Sequence, residues 1–108
     1  MAHDPHHARD SIGDIAPKLA ELTDDVLFAD VWARTGLGPR ERSIATVAAL
    51  VALNRTGQLP FHLRRARDDG VADVELAELI THLAFYAGWP CAFPAIDVLR
   101  QVQGERAP

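Results

Sequence analysis

Residues 78–95 read ELITHLAFYAGWPCAFPA, and this stretch decides the fold class. Wound as an α-helix at about 100° per residue, it brings Glu78, Phe85, His82, Tyr86 and Trp89 within an arc of roughly 100°, with Leu76, Ile80, Leu83 and Ala87 on the opposite side. The second set is the stripe that a helix buries. The first is neither a solvated face nor a plain core face, because an acid, an imidazole and a phenol lie among large rings. The wall ends abruptly at Gly88, Trp89 and Pro90. It is suited to line a pocket or a subunit contact.

Outward from this stretch the chain shows no strand alternation longer than a few residues and no internal repeat. Residues 1–10, MAHDPHHARD, are polar and unpatterned and are expected to be disordered; His3, His6 and His7 there lack the fixed geometry of a metal site. A short helix or turn is expected over residues 17–22. Thr23 reads as an N-cap, with Asp24 and Asp25 in the first turn, of a helix that carries Val26, Leu27, Phe28, Val31 and Trp32 and stops at Gly36. Pro39 suits the first position of the next helix, residues 40–53, which is apolar nearly all round and therefore expected to be buried. Pro60 falls in the first turn of a helix that ends at Asp69, where Gly70 supplies a left-handed cap. The following helix spans residues 73–87, capped by Ala72 or Asp73, and Pro90 opens a last one to about residue 103, with Pro94 near its start. The reading is an all-α domain over residues 16–104, between a polar tail at 1–15 and a short one at 105–108.

A chain of 108 residues with 48% apolar content is long enough for one packed core. At this size much apolar surface is left uncovered, which favours a homo-oligomer. The net charge of −4 and the lack of any basic block argue against a nucleic-acid partner. Arg64, Arg65 and Arg67 do cluster, but Asp68 and Asp69 follow at once and cancel most of their field. A single cysteine, Cys91, excludes an intrachain disulfide and any relay that needs two sulfurs in one subunit. With no signal-peptide run and no stretch of roughly 18 apolar residues, the expectation is a cytoplasmic protein with no membrane partner.

His62 sits at the edge of the helical face that holds Leu59, Leu63 and Ala66, either as a hydrogen-bonded core-edge residue or as a proton donor or base. Glu41 lies in line with Ala45, Ala48 and Ala52, small residues that leave room for another helix or a ligand. Arg40 and Arg42 flank it and are placed to pair with it or with an anionic substrate. His82 is four residues from both Glu78 and Tyr86, but with Glu75 as the one further acid nearby this is too few ligands for a metal. Tyr86 and Trp89 read as core or interface aromatics. Cys91, just after Pro90, reads as a small buried hydrophobe, with a reactive thiol at the helix start as the alternative.

Three segments in order, GLGPRERSIATVAALVAL (36–53), QLPFHLRRARDDGV (58–71) and ELAELITHLAFYAGWPCAFPAIDVL (75–99), resemble the carboxymuconolactone decarboxylase family, which also contains the alkylhydroperoxidase D branch. The resemblance covers residues 16–103 and implies an alkylhydroperoxidase D-like helical subunit of five or six helices, assembled into trimers or hexamers with sites at subunit contacts. Its peroxidase branch uses a Cys-x-x-Cys pair, a His four residues after the second Cys, and a Glu about twenty residues before that His. With His62 at the His position, the sulfur positions fall on Arg55 and Gln58, so a disulfide cycle has no chemical basis in this chain.

The decarboxylase branch lacks that pair too, and it implies loss of carbon dioxide from a small carboxylated lactone or unsaturated acid without metal or organic cofactor. The electron pair left behind must spread onto a carbonyl and then be quenched by a proton. His62 is the expected acid, oriented by Glu41. Arg40, Arg42, Trp32, His82, Tyr86 and Trp89 form the expected surroundings of an anionic substrate. The alternatives are a non-catalytic helical binding or assembly subunit and, more remotely, hydroperoxide reduction through Cys91.

Overall fold

A computed structural model of the chain describes residues 6–105. Its helices are α1 (His7–Ile12), α2 (Pro17–Glu21), α3 (Pro39–Ala52), α4 (Leu59–Asp68), α5 (Asp73–Ala87) and α6 (Trp89–Gly104), and no strand occurs among the described residues. Pro17, Pro39, Pro60 and Pro90 stand in the first turns of α2, α3, α4 and α6, where a missing N–H forfeits no helical bond. No described helix is long and apolar enough to cross a membrane. Packing separates the chain into two compact units that divide between Pro39 and Arg40.

In the N-terminal unit the outcome differs from the sequence reading. Residues 7–12, expected to lie in a loose tail, form α1, because the buried carboxylate of Asp24 accepts the Ala8 and Arg9 amides at 2.9 and 3.0 Å. Those are N–H groups that a helix start leaves without intrahelical partners, so a side chain sixteen residues away does the work of a local cap. Arg9 returns the bond, 3.3 Å to Asp24 and 2.6 Å to Asp25. Residues 1–5, with His3, lie outside the described residues.

Thr23 does not start a helix either. Its hydroxyl donates to the Leu19 carbonyl at 2.7 Å, and the chain continues from α2 into a wider π-helical stretch, Leu22–Phe28, before a 3-10 turn at Val31–Ala33. A capping residue needs free amides ahead of it and a non-helical backbone. Here the preceding residues are already helical, so its hydroxyl turns back to the carbonyl four residues earlier.

The second unit holds the main core. Val47 and Val51 of α3, Leu59, Leu63 and Ala66 of α4, Leu76, Ile80 and Ala84 of α5 and Ala92 to Val102 of α6 supply its buried side chains. α5 packs most extensively on α6, and α4 also packs on α6. α3 is not buried all round: Ser43, Val47 and Val51 point inward, while Glu41, Ala45 and Ala52 face outward and Ala48 is half-buried. One stripe of that helix is thus covered, and the other is exposed among the described residues. Ser43 donates a 2.7 Å bond to Asp69 Oδ2, which ties α3 to the end of α4. The arginine cluster is paired mostly by acids other than Asp68 and Asp69: Arg64 bonds Glu105 and Arg67 bonds Asp73, and Arg65 faces Asp69 at 3.7 Å.

Turns between these helices require unusual backbone. Gly70, with φ +95°, ends α4 as expected. Ala72 is the residue before α5, and in the absence of a hydroxyl only half a capping box forms, with Glu75 Oε1 accepting the Ala72 amide at 3.0 Å. Pro94 lies inside α6, where it forfeits one intrahelical bond. Between α5 and α6, Gly88 adopts φ 95°, ψ 154°, a region open essentially to glycine alone. Gly88→Ala is therefore expected to destabilise the fold by about 1–3 kcal/mol in urea melts. Gly57→Ala, at a position with open space around the added carbon, is expected to leave the midpoint unchanged.

Candidate functional site

The face of α5 that does not enter the core divides along its length. Its first half carries Glu75, Glu78, Leu79 and His82 at spacings of three and four, so these side chains line up on neighbouring turns. With Arg40 and Ile44 of α3, and with Val71 after the Gly70 turn, they line an open hollow of about 400 Å³. Ile44, Val71 and Leu79 give it an apolar floor. Arg40, Glu75, Glu78 and His82 give it polar sides.

Arg40 leans across from the first turn of α3 and donates through Nη2 to Glu75 Oε2. Glu75 is thus engaged at both oxygens, by the Ala72 amide and by Arg40, and these two bonds hold its carboxyl below the usual glutamate range. Arg40 is engaged at one nitrogen only, so its Nε and Nη1 remain available to a ligand. Glu78 makes no hydrogen bond or ion pair among the described residues, although it shares the hollow with Arg40. The His82 ring lies 4.9 Å from that of Tyr86, at 38° between planes. Among the described residues, no group of three or more His, Cys, Asp or Glu side chains is arranged to hold a metal ion.

Two of the residues expected around a substrate, Arg40 and His82, therefore converge on one cavity, with Tyr86 against the second. Glu41 and His62 are not among its lining residues. Glu41 is exposed, and Arg42 is half-buried with its carbonyl accepting the Thr46 hydroxyl at 2.8 Å. Trp32 belongs to the N-terminal unit, where its ring stacks on Phe28 with centroids 6.1 Å apart. Trp89 sits with Phe85 and Phe93 around a separate apolar hollow of about 160 Å³ between α5 and α6. Cys91 is half-buried, with its sulfur 3.7 Å from the Ala52 carbonyl. The Arg40–Glu75 pairing spans 35 residues, and no local spacing signals it. The Glu75, Glu78, His82 series on one helical face is the signal that points to the rest.

His62 stands apart from this hollow. It stands in the first turns of α4, half-buried, edge-on to the Phe61 ring at 4.9 Å. Burial, and then the positive charge of Arg65, push its pKa down from 6.5 to about 4. At neutral pH it is an uncharged imidazole.

The unfolded chain takes a proton on this imidazole near pH 6.5, and the folded chain only near pH 4. Stability owed to neutral His62 is thus complete above pH 6.5 and is lost as the pH falls toward 4. Full burial would set that loss at about 3 kcal/mol, and partial solvation reduces it to about 1–2 kcal/mol. His62→Gln should remove this part of the pH dependence: between pH 7 and 4.5, urea melts of the variant should lose about 1–2 kcal/mol less than wild type.

Comparison with known proteins agrees with this helical architecture. Residues 17–101, most of the chain, match the Carboxymuconolactone decarboxylase family. Among curated proteins, the chain is similar to "4-carboxymuconolactone decarboxylase" of Acinetobacter baylyi, 34% identical over 86% of this chain and 69% of the relative. It is also similar to "Nitrosuccinic acid decarboxylase npaB" of Metarhizium robertsii, 31% identical over 75% of this chain, although the match spans only 57% of that protein. This chain belongs to the carboxymuconolactone decarboxylase family.

Proposed function

We propose that the protein is a decarboxylase acting on a small carboxylic acid, a carboxylated lactone or unsaturated acid by the family resemblance, bound in the hollow between α3 and α5. The observation that carries this reading is the convergence of a partly engaged guanidinium, Arg40, and an imidazole, His82, over an apolar floor. Two relatives named as decarboxylases support the reaction class.

Loss of carbon dioxide leaves an electron pair that moves into a neighbouring carbonyl, so the transition state gathers charge on that oxygen. Arg40 serves best there, through Nε and Nη1. A grip on the departing carboxylate would stabilise a charge that has to vanish, so the group of the substrate acid that docks on Arg40 is its other carbonyl or carboxyl oxygen. His82 then delivers the proton that quenches the carbanion, since imidazole both gives and takes protons near neutrality.

A second reading keeps the proton transfer on His62, with Glu41 orienting it and Arg42 nearby, and its support is the imidazole held neutral by burial. As a proton donor it would depend on a bound carboxylate to restore its basicity.

The outward faces support a homo-oligomer, a trimer or a multiple of it. Phe85, Tyr86 and Phe93 are 75%, 78% and 65% exposed, and Trp89 adjoins them. Rings at such exposure on one side of a helix pair mark a contact surface, and the outward line of Glu41, Ala45 and Ala52 on α3 offers close approach to another helix.

The test is carbon dioxide release from a panel of unsaturated and lactone acids. His82→Gln is expected to lower kcat by about 10²-fold or more, and Arg40→Gln to lower kcat/KM similarly, while His62→Gln acts weakly. The reverse order, with His62→Gln inactive and His82→Gln near wild type, would favour the second reading. No release from any acid would remove the decarboxylase reading in favour of a binding subunit. By native mass measurement the wild type should be a trimer or hexamer, and Phe85→Glu with Trp89→Glu should shift it toward monomer.

A further inference from the structure

An imidazole that delivers a proton has to be aimed. The usual device is a hydrogen bond to one ring nitrogen, which fixes the orientation of the ring and decides which nitrogen carries the proton. His82 makes no hydrogen bond or ion pair among the described residues, although Arg40, Glu75 and Glu78 line the same hollow. The contact that the structure gives its ring is with Tyr86, at 4.9 Å between centroids and 38° between planes.

That contact follows from helix geometry. Side chains on α5 lean toward its N-terminus, so a ring at position 86 lies over the turn that carries position 82. Tyr86 is 78% exposed, so burial in the core does not account for its ring. A ring against the imidazole removes rotamers of His82, and leaves less freedom to be lost when a substrate binds and the proton moves. Resting on the assignment of proton delivery to His82, we infer that Tyr86 is a positioning residue: its ring, and not its hydroxyl, holds the His82 imidazole toward the hollow. This role sets no preference among acids, because it acts on the proton donor and not on the groups that bind the substrate.

Three replacements separate the ring from the hydroxyl and from the neighbouring acid. Tyr86→Leu removes the ring, Tyr86→Phe keeps it, and Glu78→Gln removes the charge of the acid one turn before His82. With an acid that the wild type decarboxylates, Tyr86→Leu should lower kcat by about ten- to a hundred-fold, the scale of a misplaced catalytic group, with KM little changed. Tyr86→Phe should recover most of that kcat, and Glu78→Gln should cost less than Tyr86→Leu. Apart from activity, the ring C–H resonances of His82, assigned by His82→Gln, should move in Tyr86→Leu as the neighbouring ring current is lost. In Tyr86→Phe they should stay near their wild-type positions. Circular dichroism and urea melts of both Tyr86 variants should match wild type, as expected for an exposed side chain.

If His82→Gln lowers kcat and Tyr86→Leu does not, or if the His82 resonances are the same in Tyr86→Leu as in wild type, the positioning role is overturned and His82 stands as the proton donor. A rise in KM at unchanged kcat in Tyr86→Leu also overturns it, and makes Tyr86 a wall that touches the substrate. A loss of kcat in Glu78→Gln without one in Tyr86→Leu would mean that the acid holds the imidazole instead. If His82→Gln is near wild type, or no acid is decarboxylated, the underlying assignment of His82 fails and takes the inference with it.

Discussion

The rotation of α5 about its own axis is the constraint on which the rest of the C-terminal unit depends. Leu76, Ile80 and Ala84 go into the core against α6, and burying a Leu or Ile side chain is worth about 1.5–3 kcal/mol. A turn of the helix by one residue would expose these and bury Glu75, Glu78 or His82 without partners, at a cost no surface interaction offsets. With the rotation fixed, the polar half of the opposite face is committed to the space beside α3, and the aromatic half is committed outward. One helix thereby lines a hollow with one half and exposes aromatic rings with the other, and Gly88 lets the chain reverse into α6 immediately after both.

Electrostatics then divide the labour among residues that a motif reading treats alike. Arg40 is oriented by Glu75, yet the pair is exposed and screened by solvent, so this contact holds Arg40 only weakly. Glu78, on the next turn, makes no hydrogen bond or ion pair among the described residues. His82 is open to the hollow, whereas His62 is enclosed enough to be kept neutral near Arg65. Two histidines that look interchangeable in sequence thus differ in their surroundings, one lining an open hollow and the other half-buried on α4.

Much of the architecture was legible because it rests on local rules. Pro39, Pro60 and Pro90 as helix starts, Gly70 as a left-handed stop, and the core stripe of α5 each follow from geometry within a few residues. The misreadings have separate causes, one a partner distant in sequence and the other a helix that runs on through the expected cap. Asp24 captures the start of α1 from sixteen residues away, and Thr23 is absorbed into a continuous helix. The apolar content of α3 was visible, but not that Glu41, Ala45 and Ala52 stay exposed on one side of it. At the site, Arg40 and His82 were identifiable singly, through charge and helical spacing. That they share a cavity depends on the α3–α5 approach, which no spacing reveals. The depressed basicity of His62 was equally invisible, since it comes from enclosure by the folded chain and from the charge of Arg65.

The central claim is that an acid docks on Arg40 in the α3–α5 hollow. Its most direct test is the arginine Nε–Hε region of a ¹⁵N nuclear magnetic resonance spectrum, assigned by Arg→Lys substitution and followed while a small carboxylate is titrated in. Here the Arg40 resonance should move saturably, together with the backbone amides of Leu79 and His82, while those of Arg64 and Arg100 stay in place. A saturable change confined to Phe85, Trp89 and Phe93, or to His62, with Arg40 unmoved, would contradict the account.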